Sequence, residues 1–181
     1  DGGGETYGNP LAPVLPGSGG GTQSSGTAGH GGGVIWLEAR QEIALSGSLL
    51  ADGNGAVASV SGGGSGGGIL IAAPRIAALT GAVISARGGN GIGSSATACG
   101  GAAGGGRVAI AHNVAPSRLA ALIAGANVSV KEVETLPAVV IVPDVSQGAT
   151  NNDYSSAPEF APQPGTVRFY RGGEGTVLLL R

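Results

Sequence analysis

The chain of 181 residues is long enough for one domain with a buried core. Glycine supplies 38 residues, about a fifth of the chain against roughly 7% in average usage. No strict Gly-X-Y period is present, which excludes collagen, and a hydrophobic content of 41% excludes a chain that stays unfolded for want of apolar surface.

Nine Lys plus Arg stand against eleven Asp plus Glu, for a net charge of −2. That balance leaves no basic footprint for nucleic acid and no polybasic patch for a membrane surface. A surface this poor in charge lacks the usual solubility device and favours association. No segment approaches the roughly 18 apolar residues of a membrane span. The opening "DGGGETYG" has neither a basic n-region nor an apolar h-region, so the sequence reads as mature or excised from a longer chain.

Glycine triplets close at Gly33, Gly68 and Gly106, giving repeats of 35 and 38 residues. The first triplet is followed by "VIWLEARQEIALSGSLLADGNG" and the second by "ILIAAPRIAALTGAVISARGGNG"; Leu45-Ser46-Gly47 aligns with Leu79-Thr80-Gly81, and Asn54-Gly55 with Asn90-Gly91. The third, "RVAIAHNVAPSRLAALIAGANVSV", keeps the opening and then drifts, as a terminal repeat does when it caps an array.

Within each repeat the apolar period is two. Val34/Trp36, Ile69/Ile71 and Val108/Ile110 alternate with their neighbours, Ile43/Leu45 and Ile76/Leu79 follow, and Leu49/Leu50 and Val83/Ile84 come after glycine corners at Gly47 and Gly81. Helix is disfavoured, because each interior glycine costs about 1 kcal/mol. Each repeat therefore reads as three short strands, and one repeat cannot bury its own apolar row. The expected fold is all-β: a Gly-rich parallel β-solenoid (β-helix) with rungs starting near 33, 68 and 106, and a core drawn from Ile35 or Trp36, Ile43, Leu45, Leu70 or Ile71, Ile76, Leu79, Ile84, Val108 and Ile110. The Gly-rich excursions between rungs, such as "SGGGSGGG", are expected to be ordered, with side-chain-poor backbones packed closely as polyproline-II-like strands.

"YGNPLAPVLPGSGGG" from Tyr7, the three Gly-led segments "GGGVIWLEA", "GGGILIAAPRIAALTGAVISARGGNG" and "GGGRVAIAH", and the closing "PGTVRFYRGGEGTVLLLR" together resemble a Gly-rich β-helix module repeated in very large secreted bacterial surface proteins. The resemblance covers most of the chain apart from 137–158. It departs after Arg107, where "PSRLAALIAGANVSV" replaces the usual return to a Gly-Gly corner. It implies a secreted, cell-surface scaffold or adhesin and carries no catalytic residues.

The segment "PSRLAALIAG" predicts a two-turn helix with Ser117 as N-cap, apolar residues at 119, 122 and 123, and Gly125 as stop. "NVSVKEVETL" alternates as a strand, and "LPAVVIVPD" is a short strand between prolines. The domain plan is thus repeats over 1–135, a Pro-rich strand and surface linker over 136–165, and a C-terminal strand pair over 166–181. In that pair Val177, Leu178, Leu179 and Leu180 form an apolar run that needs a cover, either its own rungs or a neighbouring subunit through β-augmentation.

Chemistry-bearing patterns are sparse. "GGNGIGSS" matches neither phosphate-loop pattern, and Cys99 is the only cysteine, which excludes an internal disulfide or a CxxC site. His30 and His112 lack partners at metal spacing, and Asp52 in "DGNG" with Asn151 in "NND" offers too few oxygens for a calcium cage. Glu38/Glu42 and Glu132/Glu134 are the carboxylate pairs, the latter on one strand face, but six aromatic residues make no sugar platform. No catalytic, cofactor or metal residue is therefore expected. The expected partners are copies of the chain itself and, in second place, a surface glycan, with a carbohydrate-binding or polysaccharide-cleaving β-helix as the alternative function.

Overall fold

Strands begin where the glycine runs end, because the first β-branched or leucine residues after each run are the first that favour an extended, half-buried backbone. The computed structural model describes residues 7–22, 26–58, 60–78, 81–95, 98–134, 136, 141–149 and 162–172. The three triplets lead into β1 (Val34–Glu38), β4 (Gly68–Ala73) and β9 (Arg107–His112). These pair in parallel, with Val34 opposite Gly68 and Gly68 opposite Arg107. The structural offsets are therefore 34 and 39 residues, one residue away from the spacing of the triplets. Next to β9 lies β11 (Thr166–Arg171), also parallel, and beyond it β10 (Lys131–Val133) runs antiparallel to β11. The sheet order is β1-β4-β9-β11-β10.

The first two repeats each add two further strands. β2 (Glu42–Leu45) pairs in parallel with β5 (Arg75–Ala78), and β3 (Ser48–Leu50) with β6 (Val83–Ser85). Gly81, at φ +87, makes the left-handed turn into β6 that a side chain would strain. β7 (Gly93–Ser95) and β8 (Ala98–Cys99) form an irregular antiparallel pair.

The expected parallel β-solenoid is overturned. The molecule is a mixed parallel and antiparallel sheet with small two-stranded sheets and one short helix. The third repeat departs from the three-strand plan: after β9 comes α1 (Pro116–Ile123), the helix expected in "PSRLAALIAG", and β10 then joins the main sheet antiparallel to β11. The helix residues explain this, since "PSRLAALI" has Pro at the first helical turn, where a missing N–H is harmless, followed by strong helix formers. Ser117 lies within the helix and Ala115 takes the N-cap position without a side-chain bond, so the predicted cap is also corrected; Gly125, at φ +80, does follow the helix. Among the described residues of "NVSVKEVETL", Lys131–Val133 alone is strand. In "LPAVVIVPD", residues 137–140 lie outside the described residues and 141–143 form no strand.

Alternation sorts the five-stranded sheet into two faces. Ile69, Ile71, Val108 and Ile110 point to one face and join Leu45, Ile76, Ile84 and Leu136 in the main core, with Ile35, Leu37, Ile43 and Leu49 packed against its margin. The expected pairing of Trp36 with Ile69 and Ile71 is corrected by the register: Trp36 stands opposite Leu70, on the other face, and Leu37 opposite Ile71. Leu79 lies outside the described residues, and Ala78 takes the place opposite Leu45. The second face carries Leu70, Ala72, Ala109, Ala111 and Tyr170, covered by Leu119 and Leu122 of α1 and by the segment containing Leu11, Ala12 and Val14. The Tyr170 hydroxyl donates to the Leu11 carbonyl at 2.6 Å, which fixes that segment to β11.

The Gly-rich segments form a third layer held by backbone hydrogen bonds. In the central run, Gly62 and Ser65 N–H donate to Gly21 and Ser18; Gly63 and Gly66 donate to Gly101 and Gly104; Gly64 and Gly67 donate to Asn54 and Ala51. Each neighbouring segment thus takes every third N–H, which is the three-residue turn of a polyproline II helix. Side chains would prevent this packing: a Cβ on Gly64 would overlap the His30 carbonyl, and one on Gly20 the Gly62 carbonyl. Residues 144–149 and 163–165 enter the same layer, with Gly88 N–H donating to Ser146 and Gly165 N–H to Val145.

Candidate assembly face

The first repeat forms one end of the stack, and its strand edges carry no partner among the described residues. Gly68 N–H donates to Gly33 and Ala39 N–H to Ala72, so in the evenly spaced parallel ladder residues 33, 35, 37 and 39 bond to β4. The N–H and C=O of Val34, Trp36 and Glu38 therefore point away from the molecule. By the same alternation, Arg75 N–H donating to Gln41 leaves Glu42 and Ala44 facing outward on β2. Val83 donating to Gly47 and Ala51 donating to Ser85 leave Ser48 and Leu50 outward on β3.

These edges frame an apolar row. Ile35, Leu37, Ala39, Ile43 and Leu49 are packed on one side against the core and only partly buried, whereas their counterparts one strand further in, Ile69, Ile71, Ile76 and Ile84, are buried. Val34 is 39% exposed, Trp36 48% and Leu50 58%. Lysine, proline and bulges are the usual means of blunting such edges; none of the outward-facing residues of β1, β2 or β3 is lysine or proline.

Beside this end a shallow pocket of about 430 Å³ lies between β1 and α1, lined by Trp36, Glu38, Pro116, Leu119, Ala120, Ile123 and Ala124. It adds an aromatic face and a carboxylate to the same end of the molecule.

The other end is closed differently. There β10 covers Phe169–Arg171 of β11, and Arg168 Nη1 meets Glu132 Oε2 at 2.9 Å on the exposed surface.

Between the first repeats and residues 144–146 sits a polar junction. Asp52 Oδ1 accepts from the Ser85 hydroxyl at 2.5 Å and from Arg87 N–H at 2.7 Å, and Oδ2 lies 3.3 Å from Arg87 Nη2. Arg87 Nε is 3.8 Å from Asp144 Oδ2. The Ser146 N–H donating to Asp144 at 3.0 Å, helped by the Ser146 side chain and more weakly by Arg87, holds the Asp144 carboxyl below its ordinary pKa of 3.8 against the opposing effect of burial.

The other sequence candidates scatter. Val177, Leu178, Leu179 and Leu180 lie outside the described residues, as does Asn151. Asp52 is committed to Ser85 and Arg87. Glu42 pairs with Arg75 at 3.4 Å on the surface, leaving Glu38 alone of that pair at the pocket. Glu132 pairs with Arg168, so Glu132 and Glu134 do not form an isolated carboxylate couple. No group of three or more His, Cys, Asp or Glu is placed to hold a metal among the described residues. Among the same residues no helix is long and apolar enough to cross a membrane.

Sequence reasoning missed the open end because local pattern is the same in a terminal strand and an inner one. The available signal was compositional: between residues 7 and 33 no glycine run is followed by the apolar alternation that could supply β1 with a neighbour. Compared with family models, curated proteins and solved structures, the chain matches none.

Proposed function

We propose that the chain is an extracellular structural protein that works by associating with copies of itself, as a fibre subunit or a module of a cell-surface adhesin. The observation that supports this reading is the open end: three parallel edges with no partner among the described residues, around a partly buried apolar row, with no charge or proline at the centre of β1. Backbone pairing supplies the affinity in such a joint and side chains supply its register. The reading assigns no catalytic step to any residue. Sedimentation of the purified protein over a wide concentration range, with electron microscopy of the heaviest species, tests it. Concentration-dependent, regular assemblies are expected; a monomer at every concentration would overturn it.

A second reading, carbohydrate binding, draws support from the Trp36 indole and the Glu38 carboxylate at the pocket beside α1. An aromatic face flanked by a hydrogen-bond acceptor suits a pyranose ring. A glycan array probed with the wild-type protein and Trp36→Ala separates the two: a Trp36-dependent sugar ligand with a monomeric protein favours this second reading.

A further inference from the structure

The open edge of β1 has a complementary strand elsewhere in the sequence. Gly165–Arg171 reads G-T-V-R-F-Y-R and contains β11. Ten residues on, 175–181 reads G-T-V-L-L-L-R, identical at Gly165/Gly175, Thr166/Thr176, Val167/Val177 and Arg171/Arg181. In the strands that stack in register, the core-facing residue two after the preceding glycine is Ile35, Ile69, Val108 or Val167, and the next core-facing residue is Leu37, Ile71, Ile110 or Phe169. By sequence position, Val177 and Leu179 correspond to these two residues.

Its own sheet offers this segment no place of the same kind: the other terminal strand, β10, is 3 residues long, and the positions beside β11 are closed. Only residues 172–174 separate it from β11, whereas a parallel neighbour needs a crossover of roughly a dozen residues or more. A tight antiparallel hairpin on β11 is also closed off, because β9 occupies one side of β11 and β10 occupies the other along Phe169–Arg171, the half nearest the turn. Direct end-to-end stacking of β11 on the next copy's β1 meets the same obstacle in β10.

We propose that residues 175–181 of one copy pair with the free edge of β1 in a second copy, as a parallel strand with Val177 opposite Ile35 and Leu179 opposite Leu37. In that register the outward N–H and C=O of Val34, Trp36 and Glu38 gain partners. The partly buried row of Ile35 and Leu37 is covered by two aliphatic side chains, and Leu178 comes level with Trp36. The joint is heterologous, since the donor and the acceptor are different surfaces, so it generates open chains of subunits unless a rotation closes them. This inference rests on the self-association reading and names its two halves.

The test uses two full-length variants. Leu179→Asp places a charge where the donor strand faces the Ile35/Leu37 row. Trp36→Pro removes an N–H that points out of the monomer, a position where an edge strand tolerates proline; if its melting transition is lost, Trp36→Lys replaces it as an edge-blocking charge. Each variant alone is expected to raise the concentration for half-assembly by about a hundredfold or more, with an unchanged far-ultraviolet circular dichroism spectrum. An equimolar mixture is expected to give dimers and nothing longer, because the Trp36 variant still donates and the Leu179 variant still accepts. Assembly of Leu179→Asp at wild-type concentrations would overturn the donor while leaving self-association intact, as would a joint between two β1 edges, which responds to Trp36→Pro alone. A mixture that stays monomeric would overturn the pairing, and a wild type that never assembles would overturn the function proposed above.

Discussion

Replacing Gly64 by alanine should unlock the glycine layer. Gly64 is buried, and its added Cβ would overlap the carbonyl of His30 and approach the Gly31 nitrogen at 2.7 Å. Both are backbone, so no flexible side-chain end can move aside and the segments must separate. Three bonds run through this point: Gly64 N–H to Asn54 at 2.9 Å, Gly89 N–H to Gly64 at 2.8 Å, and Asn54 N–H to His30 at 2.8 Å. Leaving a buried backbone group unpaired costs about 1–3 kcal/mol, so losing two or three of these bonds costs on the order of 2–9 kcal/mol. That is a large part of a typical domain stability of about 5–15 kcal/mol. Gly101 is the control: it is exposed, a Cβ there meets nothing within 4 Å, and its carbonyl still accepts from Gly63. Gly101→Ala should be neutral or stabilising by about 0.4–1 kcal/mol, through lower entropy of the unfolded chain. Guanidinium unfolding of both variants, followed by circular dichroism, measures the difference. Equal midpoints, within about 1 kcal/mol, would refute the claim that close backbone packing excludes side chains from this layer.

Tyr170→Phe should cost about 1–3 kcal/mol, because the Leu11 carbonyl loses its donor, and amide exchange in 9–14 should accelerate. Burial pushes the Tyr170 hydroxyl from 10.0 up to about 12. The folded state therefore holds a proton that the unfolded chain has lost, so stability is undiminished below pH 10 and falls between pH 10 and 12, by up to about 1.4 kcal/mol per pH unit; that alkaline slope should vanish in the phenylalanine variant. The depressed Asp144 carboxyl works in the opposite direction. Its contribution is present above pH 3.8 and lost as the pH falls through its lower folded value, and Asp144→Asn should flatten this part of an acid titration of stability. Asp52→Ala should cost about 1.5–3 kcal/mol in a denaturant titration, since the buried Ser85 hydroxyl and the Arg87 N–H both lose a charged acceptor.

Glycine runs and apolar alternation are enough to locate the strand starts and the residues that form the core. The glycine runs end at β1, β4 and β9, and the two-residue alternation after them selects Ile69/Ile71 and Val108/Ile110 as one buried face. The sequence determined the helix too, through Pro116 and the alanines and leucines behind it, although the cap fell on a different residue. Local pattern could not decide how many strands each repeat contributes, because strand number depends on whether the next repeat continues a neighbouring sheet. The third repeat does not, and β10 then closes the main sheet in the antiparallel sense. The one-residue difference between triplet spacing and strand register has the same origin. Glycine carries no side chain to fix a register, so the pairing of Ile35 with Ile69 sets it and turns Trp36 to the outer face. Most of the candidate assembly face was likewise invisible: Ile35 and Ile69 look equivalent in sequence, and only their places, one at an open edge and the other between two strands, leave the first partly exposed and bury the second.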